Sequence, residues 1–296
     1  MTLSIKNNGT WVQPKSISIK DGGVWKEVKA VYVKDGASWK QTYTSVVPPS
    51  LVEFLIIAGG GGCAADGGGL SGGGGGGGVI QSTKGLEPGI AYPVTVGVGG
   101  YNQADGGNSS FLNLTAIGGG GGGGDGDYRD SPPCGSGGGV MENGFWNGAD
   151  IYGGRPVVAG QGNRGGDIPR PDLQPVVSTG GGGFGSPAQD VNPDVGESTN
   201  GGNGLYSDFS GTFKWYAGGG AGYMGGSPGQ GGGGATPNNG GGGSDGIVDG
   251  RGSSGVVIIR YKTDYSKAVA TTGNPVYTNV NGYHIYTFNN NGSITF

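Results

Sequence analysis

The stretch at 71–80 reads SGGGGGGGVI, and the stretch at 117–124 reads IGGGGGGG. Two runs of seven glycines have no side chains to bury, so they cannot build an oil-drop core. They are either flexible linker or architecture made of backbone against backbone, and that choice decides the fold. Glycine supplies 77 of the 296 residues, and 70 of them fall between Leu51 and Lys262. Helix is disfavoured by ~1 kcal/mol per glycine relative to alanine. An ordinary sheet gains little from residues with nothing to pack. The remaining regular geometry is of the polyproline-II type, in which seven residues span about 22 Å. A lone strand of this kind has no internal hydrogen bonds. Packed side by side, glycine-only strands can bond N–H to C=O in several directions and satisfy their backbone without side chains. A disordered linker is the competing reading, because each ordered residue costs ~1–2 kcal/mol and glycine is the costliest type to order. The runs are pure glycine rather than Gly/Ser mixtures, and strand-like segments bracket them, which favours an ordered bundle. No strict Gly-x-y register persists, which excludes collagen.

The brackets are LVEFLIIA at 51–58 and VVIIRY at 256–261, with a third strand expected at 92–98, where Val94, Val96 and Val98 alternate with smaller residues. First and last segments that both read as buried strands are expected to pair and to tie the base of a domain. Everything between them would then be excursions from that base.

Upstream, Trp11, Trp25 and Trp39 recur every 14 residues, as do Ile5-Lys6, Ile19-Lys20 and Val33-Lys34. Asp21-Gly22 and Asp35-Gly36 are hairpin turn signals. Three short hairpins are expected, either a small meander that only packs or a docking module that presents its tryptophans to a partner. Val46-Val47-Pro48-Pro49-Ser50 reads as a semi-rigid spacer. The tail alternates Tyr283, Ile285 and Thr287 between turn signals at Asn281-Gly282 and Asn291-Gly292, which predicts a terminal hairpin. The expected fold is thus mostly β and irregular with essentially no α-helix. A β-repeat module spans 1–45, a proline linker 46–50, a polyglycine-II bundle closed by strands 51–262, and a β-hairpin unit 263–296.

Hydrophobic residues are 33% and charged residues 13%, with a net charge of −4. That balance offers no phosphate-seeking surface, so nucleic acid is not an expected partner. Cys63 and Cys134 are too few for a disulfide scaffold or a four-ligand zinc site; two free thiols are expected, with a single bridge as the alternative. MTLSIKNNGTW lacks the basic and apolar regions of a secretory signal, and the best apolar run falls far short of the ~20 residues that span a bilayer. Synthesis in a bacterial cytoplasm, with no membrane insertion, is the expectation.

LVEFLIIAGGGG, AYPVTVGVGG, GGNSSF at 106–111, the following LTAIGGGGGGG and GSSGVVIIRY at 252–261 resemble the glycine-rich domain of bacteriophage tail-fibre and appendage proteins. GYHIYTFNNNGSITF resembles the short β-unit found beside such domains. The arrangement is also similar to the polyglycine-II receptor-binding adhesins at the long-tail-fibre tips of T-even phages. The resemblance implies a virion protein whose loops meet a host receptor, either a glycan or an outer-membrane protein. It also implies docking on a fibre or tail protein, as a monomeric cap or in a homotrimer. The loops supply the candidate receptor contacts: Tyr128, Arg129, Phe145, Trp146, Tyr152, Arg155, Tyr206, Phe209, Trp215 and Tyr216. Exposed aromatics offer rigid contact area and Arg offers hydrogen bonds, although some must cover the flanks of the bundle. Trp11, Trp25 and Trp39 are the attachment candidates. A purely structural fibre or decoration protein is the alternative, and an ice-binding or matrix protein is a third reading that the long aromatic loops disfavour.

No enzyme, cofactor or metal is expected. Gly69–Gly73 and Gly225–Gly229 match G-x-S-x-G, but a nucleophile elbow needs a helix and a histidine partner, and the single histidine, His284, sits in the tail hairpin. Asp125, Asp127 and Asp130 read as a solvated turn, and one calcium-roll match at 240–248 reads as coincidence.

Overall fold

A computed structural model describes the chain except for residues 1–3, 8–9, 13, 15, 45–46, 65–70, 125–133, 143–149, 157, 170–175, 193–194, 196, 224, 235 and 245–247. Strands β1 (Ile5–Asn7) and β2 (Thr10–Val12), β3 (Ser18–Asp21) and β4 (Val24–Glu27), and β5 (Ala30–Asp35) and β6 (Ser38–Thr44) form the three expected hairpins, each a separate two-stranded sheet. Their registers are equivalent. Lys6, Lys20 and Lys34 stand opposite Trp11, Trp25 and Trp39.

Beyond the linker come β7 (Val52–Ile57), β8 (Val79–Lys84), β9 (Ala91–Thr95), β10 (Ser109–Phe111) and β11 (Leu114–Ala116). Two short ladders follow, β12 (Met141–Glu142) with β13 (Val177–Ser178) and β14 (Leu205–Ser207) with β15 (Lys214–Tyr216). The chain closes with β16 (Val256–Lys262), β17 (Ala270–Thr272), β18 (Val276–Val280), β19 (Tyr283–Phe288) and β20 (Gly292–Thr295). Among the described residues the sole helical turn is a single 3-10 turn at Val248–Gly250.

The bracket strands do pair: β16 lies antiparallel to β7, with Ile258 opposite Leu55. They form the middle of a five-stranded sheet ordered β18-β19-β16-β7-β8. The C-terminal hairpin β18–β19 extends this sheet, while β20 joins the second sheet, ordered β11-β10-β9-β20-β17. The central strands read as continuous apolar runs because both of their faces are covered. One face, with Phe54, Ile56, Val257, Ile259 and Phe288, meets Val94, Phe111 and Ile294 of the second sheet. Phe54 meets Phe111 edge-on at 5.2 Å. The other face, with Leu55, Ile57, Val256, Ile258 and Ile285, is covered by Phe209, Tyr216 and Ala217.

The glycine runs leave and re-enter this base, and their hydrogen bonds repeat every three residues. The amides of Gly72, Gly75 and Gly78 donate to the carbonyls of Gly123, Gly120 and Ile117, at 2.9, 2.7 and 2.7 Å. Those of Gly73 and Gly76 donate to Thr179 and Gly182, and those of Gly74 and Gly77 to Gly243 and Gly240. Carbonyls of the same run accept from three further segments: Gly73 and Gly76 from Gly139 and Ser136, Gly74 from Gly220, and Gly75 and Gly78 from Gly61 and Ala58. The run at 72–78 is therefore ringed by six neighbours and bonded to all of them, which is the threefold geometry of polyglycine II. Close approach explains the composition. A Cβ added at any residue from Gly72 to Gly78 would come within 3.0 Å of a neighbouring atom, and for all but Gly78 the nearest is backbone.

Where a run lacks a backbone neighbour, polar side chains take its place at the same spacing. Asn108 and Asp105 accept the amides of Gly118 and Gly121, at 2.9 and 2.8 Å. Asn200 and Asn203 accept those of Ser227 and Gln230, at 2.7 and 2.9 Å. Each such bond contributes a net ~0.5–1.5 kcal/mol, close to what ordering a residue costs. The bundle thus roughly breaks even, and the sandwich supplies the surplus by burying its large side chains, at about 1.5–3 kcal/mol each.

Candidate binding site

The β14–β15 hairpin divides its aromatics between two faces. Leu205 pairs with Tyr216, and both point to the sheet. Tyr206 pairs with Trp215 on the opposite face. Phe213 joins them: its ring stacks on Tyr206 at 5.0 Å, and Tyr206 lies 4.8 Å from Trp215. Tyr206 is 54% exposed and Phe213 63% exposed, while Trp215 is half-buried, so the three rings form a shelf with two of its members open to solvent.

The hairpin is held from beneath. Phe209, in its connecting loop, is 2% exposed and inserts against the sheet. The Arg260 guanidinium lies 4.0 Å from the Phe209 ring and bonds Glu53 at 2.9 Å. The Tyr216 hydroxyl donates to Ser210 Oγ at 3.1 Å, and burial pushes the Tyr216 phenol pKa up. Gly211 holds φ +91° with Val280 where a side chain would stand, so the loop sits flush on the β18–β19 pair.

Beside the shelf runs a groove of about 720 Å³ between the hairpin, the 236–239 turn and the sheet. Thr212, Asn238, Thr278, Thr287 and Asn289 line it together with Trp215. Lys214 is the one charged residue among its described lining.

The other candidates divide as follows. Phe209 and Tyr216 are corrected: both are core residues, because the second face of the sheet needs an apolar cover that glycine cannot give. Tyr152 is exposed, but it belongs with Arg155 to a separate cluster. Arg155 forks onto Asp167 at 2.9 and 3.0 Å, and Arg164 bridges to Asp190 at 2.5 and 2.8 Å. Asp167 also accepts the Gly153 amide, so this network clamps neighbouring runs. Asp150 beside the Tyr152 hydroxyl raises that phenol's pKa. Tyr128, Arg129, Phe145 and Trp146 lie outside the described residues. Trp25 and Trp39 stand in the open at 69% and 66% exposure; for Trp11 only the backbone is described. Phe213, Lys214 and the groove residues were missed by the sequence reading. The alternation Phe213-Lys214-Trp215-Tyr216 carried the signal, since it sets Phe213 and Trp215 on one face and Tyr216 on the other.

Cys63 and Cys134 are buried free thiols, and burial, then the Asp105 charge, pushes the Cys134 pKa up to about 12. Ser71 is buried and accepts the Ala64 amide. His284 is buried in β19, with Tyr277 at 2.8 Å on Nδ1 and the Tyr265 carbonyl at 3.1 Å on Nε2. Among the described residues there is no cluster of three metal-ligating side chains and no helix long and apolar enough to cross a membrane.

The glycine-rich domain family matches residues 36–262, from the turn of the third hairpin to the end of β16. The chain belongs to that family. The match covers the whole glycine bundle and both central strands, and it leaves the first two hairpins and the C-terminal hairpin outside. No curated protein and no solved structure matches the chain.

Proposed function

We propose that this member of the glycine-rich domain family is a non-enzymatic bacteriophage tail-fibre or appendage protein that binds a host surface receptor, glycan or outer-membrane protein. The observation that carries this reading is the aromatic shelf: Tyr206 and Phe213 exposed, with Trp215 half-buried beside them, on a hairpin whose other face is core. Aromatic rings clustered at the surface of an anchored element mark a contact surface. A support that does not deform loses less entropy on capture. The hairpins at 1–45 serve as the attachment module to a fibre or tail protein, in a monomeric cap or a homotrimer. They carry seven lysines against three acidic residues, a net +4, while residues 46–296 carry −8. Their partner surface is therefore acidic.

The test is adsorption of the purified protein to host bacteria. Phe213→Ala and Trp215→Ala should each cut adsorption about tenfold while leaving the melting temperature within a few degrees. Undiminished adsorption would remove the shelf from the receptor site. The second reading, a structural or decoration protein, is favoured by the exposed Trp25 and Trp39. It wins if no host cell is bound while Trp25→Ala and Trp39→Ala block incorporation into particles.

A further inference from the structure

The groove beside the shelf has a chemistry of its own. Its described walls carry hydroxyls (Thr212, Thr278, Thr287) and amides (Asn238, Asn289), with Trp215 at the side. Each of these groups is small, neutral and able to donate or accept, as sugar hydroxyls are. Its volume of about 720 Å³ falls within the usual range for ligand sites, and a few convergent polar groups in such a site fix a ligand's orientation. The rest of the lining includes Val256, Ile258 and Val276, apolar surface beside the polar groups as in most ligand sites. No carboxylate lines the groove among its described residues, although residues 46–296 are acidic overall. The nearby Asp208 faces Arg260 at 3.8 Å. Lys214 is exposed and has no salt bridge among the described residues.

We infer that the groove is a saccharide site, in which a pyranose face stacks on the Trp215 ring, ring hydroxyls bond the Thr and Asn walls, and Lys214 pairs with an anionic substituent of the sugar. This rests on the receptor-binding reading and names the ligand class of the same site. The substituent is a carboxylate or a phosphate; both answer to the same ammonium.

The experiment uses the full chain on a printed array of bacterial surface polysaccharides that includes uronate-bearing, phosphate-bearing and neutral members. Acidic members should bind, one anionic class above the other identifying the substituent. Trp215→Ala should cut the signal about tenfold. Lys214→Met should weaken it about two- to fivefold, and Thr278→Val, on the exposed edge strand, should weaken it with no change in melting temperature. Failure of every member to bind, or equal binding of neutral members, or an unaffected Lys214→Met, overturns the inference. Host-cell adsorption before and after periodate oxidation separates the two proposals. If adsorption survives periodate but not protease, the adhesin reading stands and the saccharide falls. If untreated cells are not bound at all, the adhesin reading itself falls.

Discussion

The sandwich and the glycine bundle share strands but are held by opposite means. In the sandwich, Phe54, Phe111, Ile259 and Phe288 fill space, and removing atoms does the damage. In the bundle, backbones touch directly, and adding atoms does the damage. One region is stabilised by what its residues carry, the other by what they lack. The bundle also has little surplus of its own, so its rigidity is borrowed from the strands that clamp its runs at β7, β8 and β16.

The contrast can be broken most sharply in the central run. Gly74→Ala would set a methyl group on the Gly61 carbonyl. It is expected to cost about 4 kcal/mol or more, matching the ~3–5 kcal/mol expected of Phe54→Ala, although one substitution adds carbon and the other removes it. Urea titration of both variants checks this. Should Gly74→Ala unfold at the wild-type midpoint, the runs are not packed as described. A smaller effect sharpens the comparison at the bundle's edge. Asn108→Ala removes the acceptor for the Gly118 amide and is expected to cost about 1–2 kcal/mol. Hydrogen exchange should show faster exchange at Gly118 than at Gly120, whose partner is the Ser136 carbonyl.

The smallest effect is electrostatic. Burial works against the Asp190 carboxylate, but the Arg164 fork and the Asp167 amide outweigh it and hold its pKa below the usual value. A depressed folded pKa means that the contribution is fully present above about pH 4, the unfolded value, and is lost as pH falls through the folded one. Because the pair is partly exposed, about 0.2–1 kcal/mol is at stake. Asp190→Asn should flatten the acid limb of stability below pH 4 by that amount, and added salt should do much the same.

How far the sequence discloses this molecule follows the same division. The pairing of β7 and β16 was legible, because two apolar runs at the ends of a side-chain-poor domain have only each other to bury; its antiparallel direction was not. The backbone-on-backbone packing was legible from the purity of the runs. The six-neighbour arrangement was not, because identical residues carry no register. That information lies in the flanks, such as Asn108 and Asp105, whose three-residue spacing reads as ordinary turn chemistry until its partners are known. At the site, the structure sets Tyr206 in the open and Trp215 half-buried beside it, on the face away from the core. Phe209 and Tyr216 were not recognised as core, since nothing local reveals that the second face of the sheet lacks a cover.

A three-residue screw also looks the same to its surroundings after one notch of advance and a third of a revolution. Within a run, then, nothing says where to stop; the stops are the non-glycine ends, such as Val79 and Ile117. Gain or loss of one glycine can be absorbed as a corkscrew step that moves whatever is mounted on its end by ~3.1 Å and turns it by about 120°. Such a mount can be re-aimed in discrete clicks without being rebuilt.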